Sequence, residues 1–171
     1  MNVPLAIATI VSSTAAVVAL ILVWLQLKVQ SRQARQAALS ALHEELVSLP
    51  MQRAIRALYR YEPTDLATPG TEEVLETIEF VVNRFNFIGY RVETGVVPAN
   101  DVLRTEWQAV IRLSHQLQPF MEAEAARRNG APYSTSFQSL VTRARQYGEA
   151  HHPQVRVEPF RRHFDADPAA V

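Results

Sequence analysis

Four glutamates, Glu72, Glu73, Glu76 and Glu79, crowd into one short stretch of the chain. Carboxylates three or four residues apart share a helix face. In diiron bundles such groups bind metal when each of two helices also carries a Glu-x-x-His pair. Here Glu76 is followed at the third position by Glu79, and no second carboxylate–histidine segment occurs. The cluster reads as a solvated helix face. His151 and His152 are neighbours, with His163 further on. Adjacent helical side chains diverge and chelate poorly. Without a His-Glu-x-x-His pattern or any cysteine, a zinc site is not expected. Ser114 and His115 are also adjacent, and read as ordinary helix positions rather than a nucleophile and its base. Five glycines form neither a phosphate-binding loop nor a nucleophile elbow. No catalytic residue, metal ligand or cofactor is therefore assigned, and the chain is not expected to be an enzyme. One polar group stands out: Asn83, Arg84 and Asn86, set in an otherwise apolar segment. If buried they need partners. They either bond a neighbouring helix or line a small pocket.

The elements that would hold these residues begin with an uncharged stretch. Met1–Leu27 contains no Asp, Glu, Lys, Arg or His, and Lys28, Arg32 and Arg35 follow directly. The apolar run Leu5–Leu27 would extend roughly 34 Å as a helix at 1.5 Å per residue. A bilayer core is about 30 Å thick. An isolated span can satisfy its backbone only as a helix. Trp24 lies near the basic end, as an interfacial anchor would. A cleaved signal peptide would want a positive start, a shorter core and a small-x-small site. None is present, so an uncleaved membrane anchor is expected. The one-sided flank Lys28, Arg32 and Arg35 predicts a single-pass chain with an outside N-terminus and a cytoplasmic body. Small residues Ala8, Ser12, Ala15, Ala16 and Ala19 recur at helical spacing. They either form a close-packing face for a second membrane helix or reflect ordinary span composition.

Beyond the span the chain is expected to be all-α. The sequence divides into a transmembrane helix (1–27), a helical stalk (28–49), a bundle of about four helices (50–147) and an extended tail (148–171). The stalk stripe Leu39, Leu42, Leu46 and Leu49 is expected to pack on the body, and Pro50 to restart the helix. A loop covers Tyr61–Thr71. The next helix runs to about Thr94, with Glu72 and Glu73 in its first turn and Gly95 as its stop. Its stripe Val74, Ile78, Val81, Phe85, Ile88 and Val92 is widened by Phe80, Phe87 and Tyr90, which predicts the central helix of the bundle. A fourth helix is expected from a cap at Asn100 or Asp101, kinked at Pro119 and closed by Gly130. A fifth, capped by Ser134 or Ser136, buries Phe137, Leu140, Val141 and Ala144. From Gly148 the pattern dissolves. Phe160, Arg161, Arg162 and Phe164 in the tail could dock on a partner.

Charge narrows the classes further. The net charge is zero, whereas a nucleic-acid-binding domain would be basic. No nucleic-acid partner is expected. Basic residues near an anionic leaflet gain about 1 kcal/mol each, which accounts for the flank.

The layout resembles a widespread bacterial family of single-span proteins catalogued as a domain of unknown function (number four thousand seven hundred and sixty). The resemblance rests on the N-terminal span, the stalk, the helix Val74–Gly95, Trp107, Pro119–Phe120, Asn129–Gly130, Tyr133 and Phe137. It covers most of residues 1–145. The family brings no activity and no functional residues, so the resemblance implies an anchored helical domain only. The expectation is a membrane-anchored interaction or scaffold protein, an accessory subunit of a membrane complex. Its partners would be lipids and another membrane protein or a second copy of itself. The alternative is a tethered small-molecule sensor or enzyme using a pocket at Asn83, Arg84 and Asn86.

Overall fold

The computed structural model describes the backbone of residues 3–159 and the side chains of residues 19–159. Among these residues it is all-α, with five α-helices and no strand: α1 (Val3–Val47), α2 (Leu49–Leu58), α3 (Glu72–Glu93), α4 (Ala99–Arg127) and α5 (Thr135–His151). A short 3₁₀ turn, Pro63–Ala67, lies between α2 and α3. The chain divides into two units, Met1–Ala38 and Leu39–Val171.

In the first unit the described side chains from Ala19 to Ala37 are all exposed. Leu20 to Leu25 occupy consecutive positions and therefore surround the helix. Each is at least 45% exposed. Lys28 places its ammonium 4.9 Å from the Trp24 ring centre. Among the described residues no helix is long and apolar enough to cross a membrane. Most of the run Leu5–Leu27, with Ala8, Ser12, Ala15 and Ala16, has its side chains outside the described residues; Ala19 is exposed.

The second unit starts with the last turns of α1. Leu42 is buried and Leu39 and Leu46 are half-buried, as the stripe predicts. Leu49 departs from it and is 58% exposed. The reason is the break at Ser48, whose φ −58° and ψ 143° end one helix before Pro50 starts the next. Its hydroxyl donates back to the Glu45 carbonyl at 2.7 Å. The expected loop after α2 is more ordered than its prolines suggest. Leu66, within the 3₁₀ turn, is completely buried, and this turn packs on α4.

Helix α5 packs on both α3 and α4, and α2 packs on α3. Phe85 on α3 and Phe137 on α5 meet with ring centres 5.6 Å apart. Phe120 on α4 and Tyr133 meet edge to face at 5.9 Å. Burying a side chain such as Phe137, Leu117 or Ile78, each fully buried, contributes about 1.5–3 kcal/mol.

Two boundaries differ from expectation. Helix α4 begins at Ala99 with Pro98 as its cap. Asn100 and Asp101 therefore sit in its first turn, where the Asp101 charge suits the helix dipole. The helix runs through Pro119 to Arg127. Helix α5 continues past Gly148 to His151. Gly148 is buried there because the Trp107 ring lies against its Cα; a methyl group would sit 2.6 Å from that ring. The tail residues Phe160, Arg161, Arg162 and Phe164 lie outside the described residues.

Candidate functional site

Helix α3 has two faces, and this is the main correction to the sequence reading. One face buries Ile78, Val81, Val82, Phe85, Ile88, Gly89 and Val92. The three aromatics expected to widen that stripe do not join it. Phe80 is 36% exposed, Phe87 44% and Tyr90 55%. At 100° per residue they fall on the opposite side of the helix from Phe85. Helix α3 is thus an amphipathic layer rather than a central helix. The signal was available in the spacing. Glu73, Glu76, Phe80, Asn83, Phe87, Tyr90 and Thr94 alternate at three and four residues, the period of a helix-pairing seam.

Asn83 and Arg84 lie on this exposed face. Arg84 pairs with Glu45 of α1, and its guanidinium lies 5.4 Å from the Phe80 ring centre. Arg91 lies 4.4 Å over Phe87. A guanidinium over a ring is attracted by its π-face and keeps charge at its edge. The face therefore offers rigid aromatic area with charges at its edges, the composition that interfaces favour.

Asn86 points the other way and has a structural task. Ser134, the cap of α5, has φ 53° and ψ 55° and forms no side-chain capping bond. Its place is taken by Asn86, whose Oδ1 accepts from the Phe137 amide at 3.1 Å. One of the unpaired first-turn amides of α5 is thereby satisfied from a different helix. Nearby, Ser136 donates its hydroxyl to the Glu93 carboxylate at 2.7 Å. Hydrogen bonds from Ser136 and then Ser139 pull the Glu93 pKa below its ordinary value, against a small opposing desolvation and with help from Arg143. The helices approach closely because residue 89 is glycine: a Cβ there would collide with the Ser136 carbonyl. Asn83, Arg84 and Asn86 thus do not converge, and none of them lines the two clefts that border α5.

Two clefts border α5. One, about 330 Å³, is lined by Trp107, Arg145, His152 and Arg156 among others. Its cations could hold an anion, but Glu149 shares the lining, and His152 already stacks on the Trp107 ring at 5.3 Å and 2°. The second, about 360 Å³, lies between Ser114, Gln118, Glu122, Gln138 and Arg145. Neighbouring His115 has its Nδ1 buried without a hydrogen-bond partner among the described residues. Burial, reinforced by the Arg145 charge, lowers its pKa. Neither cleft assembles a nucleophile with a base, and among the described residues no group of three or more His, Asp or Glu could hold a metal ion. Sequence reasoning also missed Gln116, which is buried and donates its amide to the Leu58 and Tyr61 carbonyls at 3.0 and 2.8 Å. It closes the C-terminal end of α2.

The family model of the Domain of unknown function (DUF4760) matches residues 13–144. The chain belongs to this family. No curated protein and no solved structure matches it. The match covers the residues that build α3 and its exposed face, so that face belongs to the family domain rather than to an appended segment.

Proposed function

We propose that this DUF4760 chain is a membrane-tethered interaction module, anchored by Leu5–Leu27 and binding protein through the exposed face of α3. The observation that carries the reading is the two-sidedness of α3. Its inner face is fully committed to the core, while Phe80, Phe87 and Tyr90 are held outward on the other side. The Arg84 and Arg91 guanidinium groups lie over the Phe80 and Phe87 rings. Exposed aromatics in one row mark an interaction surface far better than scattered apolar residues do. The tether rests on the length and lack of charge of Leu5–Leu27, and on the side chains exposed all round Leu20–Leu25. Such a ring has no packing role in a one-sided helix and suits lipid. Lys28, Arg32 and Arg35 would then lie at the anionic cytoplasmic surface.

The test is extraction and capture of the full chain. Membranes from expressing cells should retain it after alkaline carbonate washing; release into the wash would refute the tether. Capture from mild detergent, read by mass spectrometry, should recover a reproducible partner or a second copy. The double substitution Phe80→Ser and Phe87→Ser should lose it. A capture profile unchanged by that pair would refute the surface.

A further inference from the structure

We infer that the partner of the α3 face is a second copy of this chain, docked with its own α3 antiparallel about a two-fold axis passing close to Arg84. The inference rests on the interaction-surface reading and names its occupant.

Charge is complementary along one seam. The N-terminal half of the exposed row is acidic, with Glu73 and Glu76, both exposed. The C-terminal half carries Arg91, and the aromatics lie between and beside them. An isologous contact places each residue against one equally far from the axis on the other side. At 1.5 Å per residue, Glu76 lies about 12 Å before Arg84 and Arg91 about 10.5 Å after it. The two therefore meet across the axis, twice. Phe80 lies about 6 Å before the axis, between Phe87 at about 4.5 Å and Tyr90 at about 9 Å after it. Each Phe80 ring inserts between two rings of the second copy, an arrangement worth about 0.5–1.5 kcal/mol per ring pair beyond burial. Asn83, next to the axis, faces its own equivalent and can exchange amide hydrogen bonds with it.

The like charge at the axis is already answered. Each Arg84 pairs with Glu45 of its own chain and lies over its own Phe80. A parallel pairing fails on the same residues. It would set Glu73 and Glu76 against their own copies and Arg91 against Arg91, and like charges facing each other are destabilising. A one-helix seam is smaller than a standard interface of about 800 Å² per partner. The pair is therefore weak in dilute solution and is raised by confinement to one membrane, which increases effective concentration.

The natural chain has no cysteine, so cysteine pairing reports the geometry directly. Full-length single variants are reconstituted in phosphatidylcholine vesicles and oxidised with copper phenanthroline. Asn83→Cys should cross-link with itself. Glu76→Cys alone should not, because its two copies lie roughly 24 Å apart along the seam. Mixed Glu76→Cys and Arg91→Cys chains should cross-link with each other. Glu76 and Asn83 are exposed and Arg91 is half-buried; none belongs to the buried face of α3, so the core should stay intact, which circular dichroism checks. In an uncrosslinked chain, Glu76→Arg should lower energy transfer between labelled copies several-fold, and adding Arg91→Glu should restore it. Self-cross-linking of Glu76→Cys would overturn the antiparallel register. Absence of every cross-link in vesicles that hold the chain stably would overturn the second copy as occupant while leaving the tether standing. Failure of the chain to enter vesicles would strike the tether instead; cross-linking is then read in solution at high concentration, where the same pattern supports the pair and its absence refutes it.

Discussion

Gly89→Ala should destabilise the body, although glycine-to-alanine inside a helix normally stabilises by about 1 kcal/mol. Residue 89 is in the middle of α3, so the propensity gain is fully available. Against it stands the Ser136 carbonyl of α5. A Cβ would lie 2.5 Å from that carbonyl carbon, nearer still to its oxygen, and 3.1 Å from the Phe137 nitrogen. These obstacles are backbone at the start of a helix and cannot swing aside as a side-chain tip would. Carbon–oxygen contacts settle near 3.3–3.6 Å, so α3 and α5 must part by about 1 Å or more. Overpacking of this kind costs about 1–3 kcal/mol. The same separation stretches the 3.1 Å bond from the Phe137 amide to Asn86, and an amide left unpaired costs a further 1–3 kcal/mol or so.

After the propensity gain is subtracted, the net loss is about 1–5 kcal/mol. Unfolding entropy near 2.1 cal/mol/K per residue, over roughly 130 residues in the second unit, turns this into a fall in Tm of about 4–18 °C. Far-UV circular dichroism melts of the full chain in mild detergent measure it. Gly70→Ala is the control, because nothing lies within 4 Å of its Cβ position and the change should be near neutral. A Tm for Gly89→Ala equal to or above that of the natural chain would refute the close approach of α3 to α5, and with it the capping of α5 by Asn86.

Asn86→Ala should lower stability by about 1–2 kcal/mol, the usual loss for removing a cap, and should speed amide exchange at Phe137 selectively. Gln116→Leu keeps the volume of the buried side chain but strips donors from two carbonyls; chemical denaturation should show a loss of about 1–3 kcal/mol with an unchanged m-value. His115 has a folded pKa below its ordinary 6.5, first because of burial and then because of Arg145. Its contribution is complete above the ordinary value and is lost as the pH falls through it toward the folded pKa, since the unfolded chain then binds the extra proton. His115→Gln should flatten that part of the stability–pH curve, and an unaltered slope would refute the assignment. Glu93 is lowered by its bonds from Ser136 and Ser139, so its contribution is present above the ordinary carboxylate range and fades as the pH falls through the folded pKa; Ser136→Ala should raise the Glu93 pKa, read by carboxyl NMR.

Local chemistry made the helix ends legible where one residue decides them. Thr71 caps α3 by accepting from the Val74 amide at 3.3 Å, and Gly95, with φ 73°, closes it. Gly130 does the same for α4 with φ 79°, its amide reaching the Ala125 carbonyl at 2.9 Å. Pro50 restarts the chain after Ser48. These outcomes follow from φ preferences and orphaned amides within a few residues. The capping of α5 was not legible, because its acceptor is Asn86 on a helix that precedes it by some fifty residues. Leu66 was hidden for a similar reason: prolines announced a loop, but a 3₁₀ turn can still present one side chain to α4.

The aromatic face of α3 shows a different kind of failure. Hydrophobicity alone cannot separate a residue buried by the fold from one reserved for a second molecule, because both are apolar and both repeat at helical spacing. Periodicity can. Ile78, Val81, Phe85 and Val92 belong to one stripe and Phe80, Phe87 and Tyr90 to another, about half a turn away. Only the first can face a single core. A helix with two apolar stripes must be either sandwiched or partnered; α5 lies against the first stripe through Phe137, and α1 reaches the edge of the second through Glu45, which pairs with Arg84. The charges bear on whether the second stripe stays wet or is covered. Arg84 and Arg91 stack over the rings beneath them, keeping the unpaired face soluble, while Glu76 and Arg91 lie nearly equidistant from its middle. That near-symmetry is what the proposed antiparallel pairing of the stripe with its own copy requires.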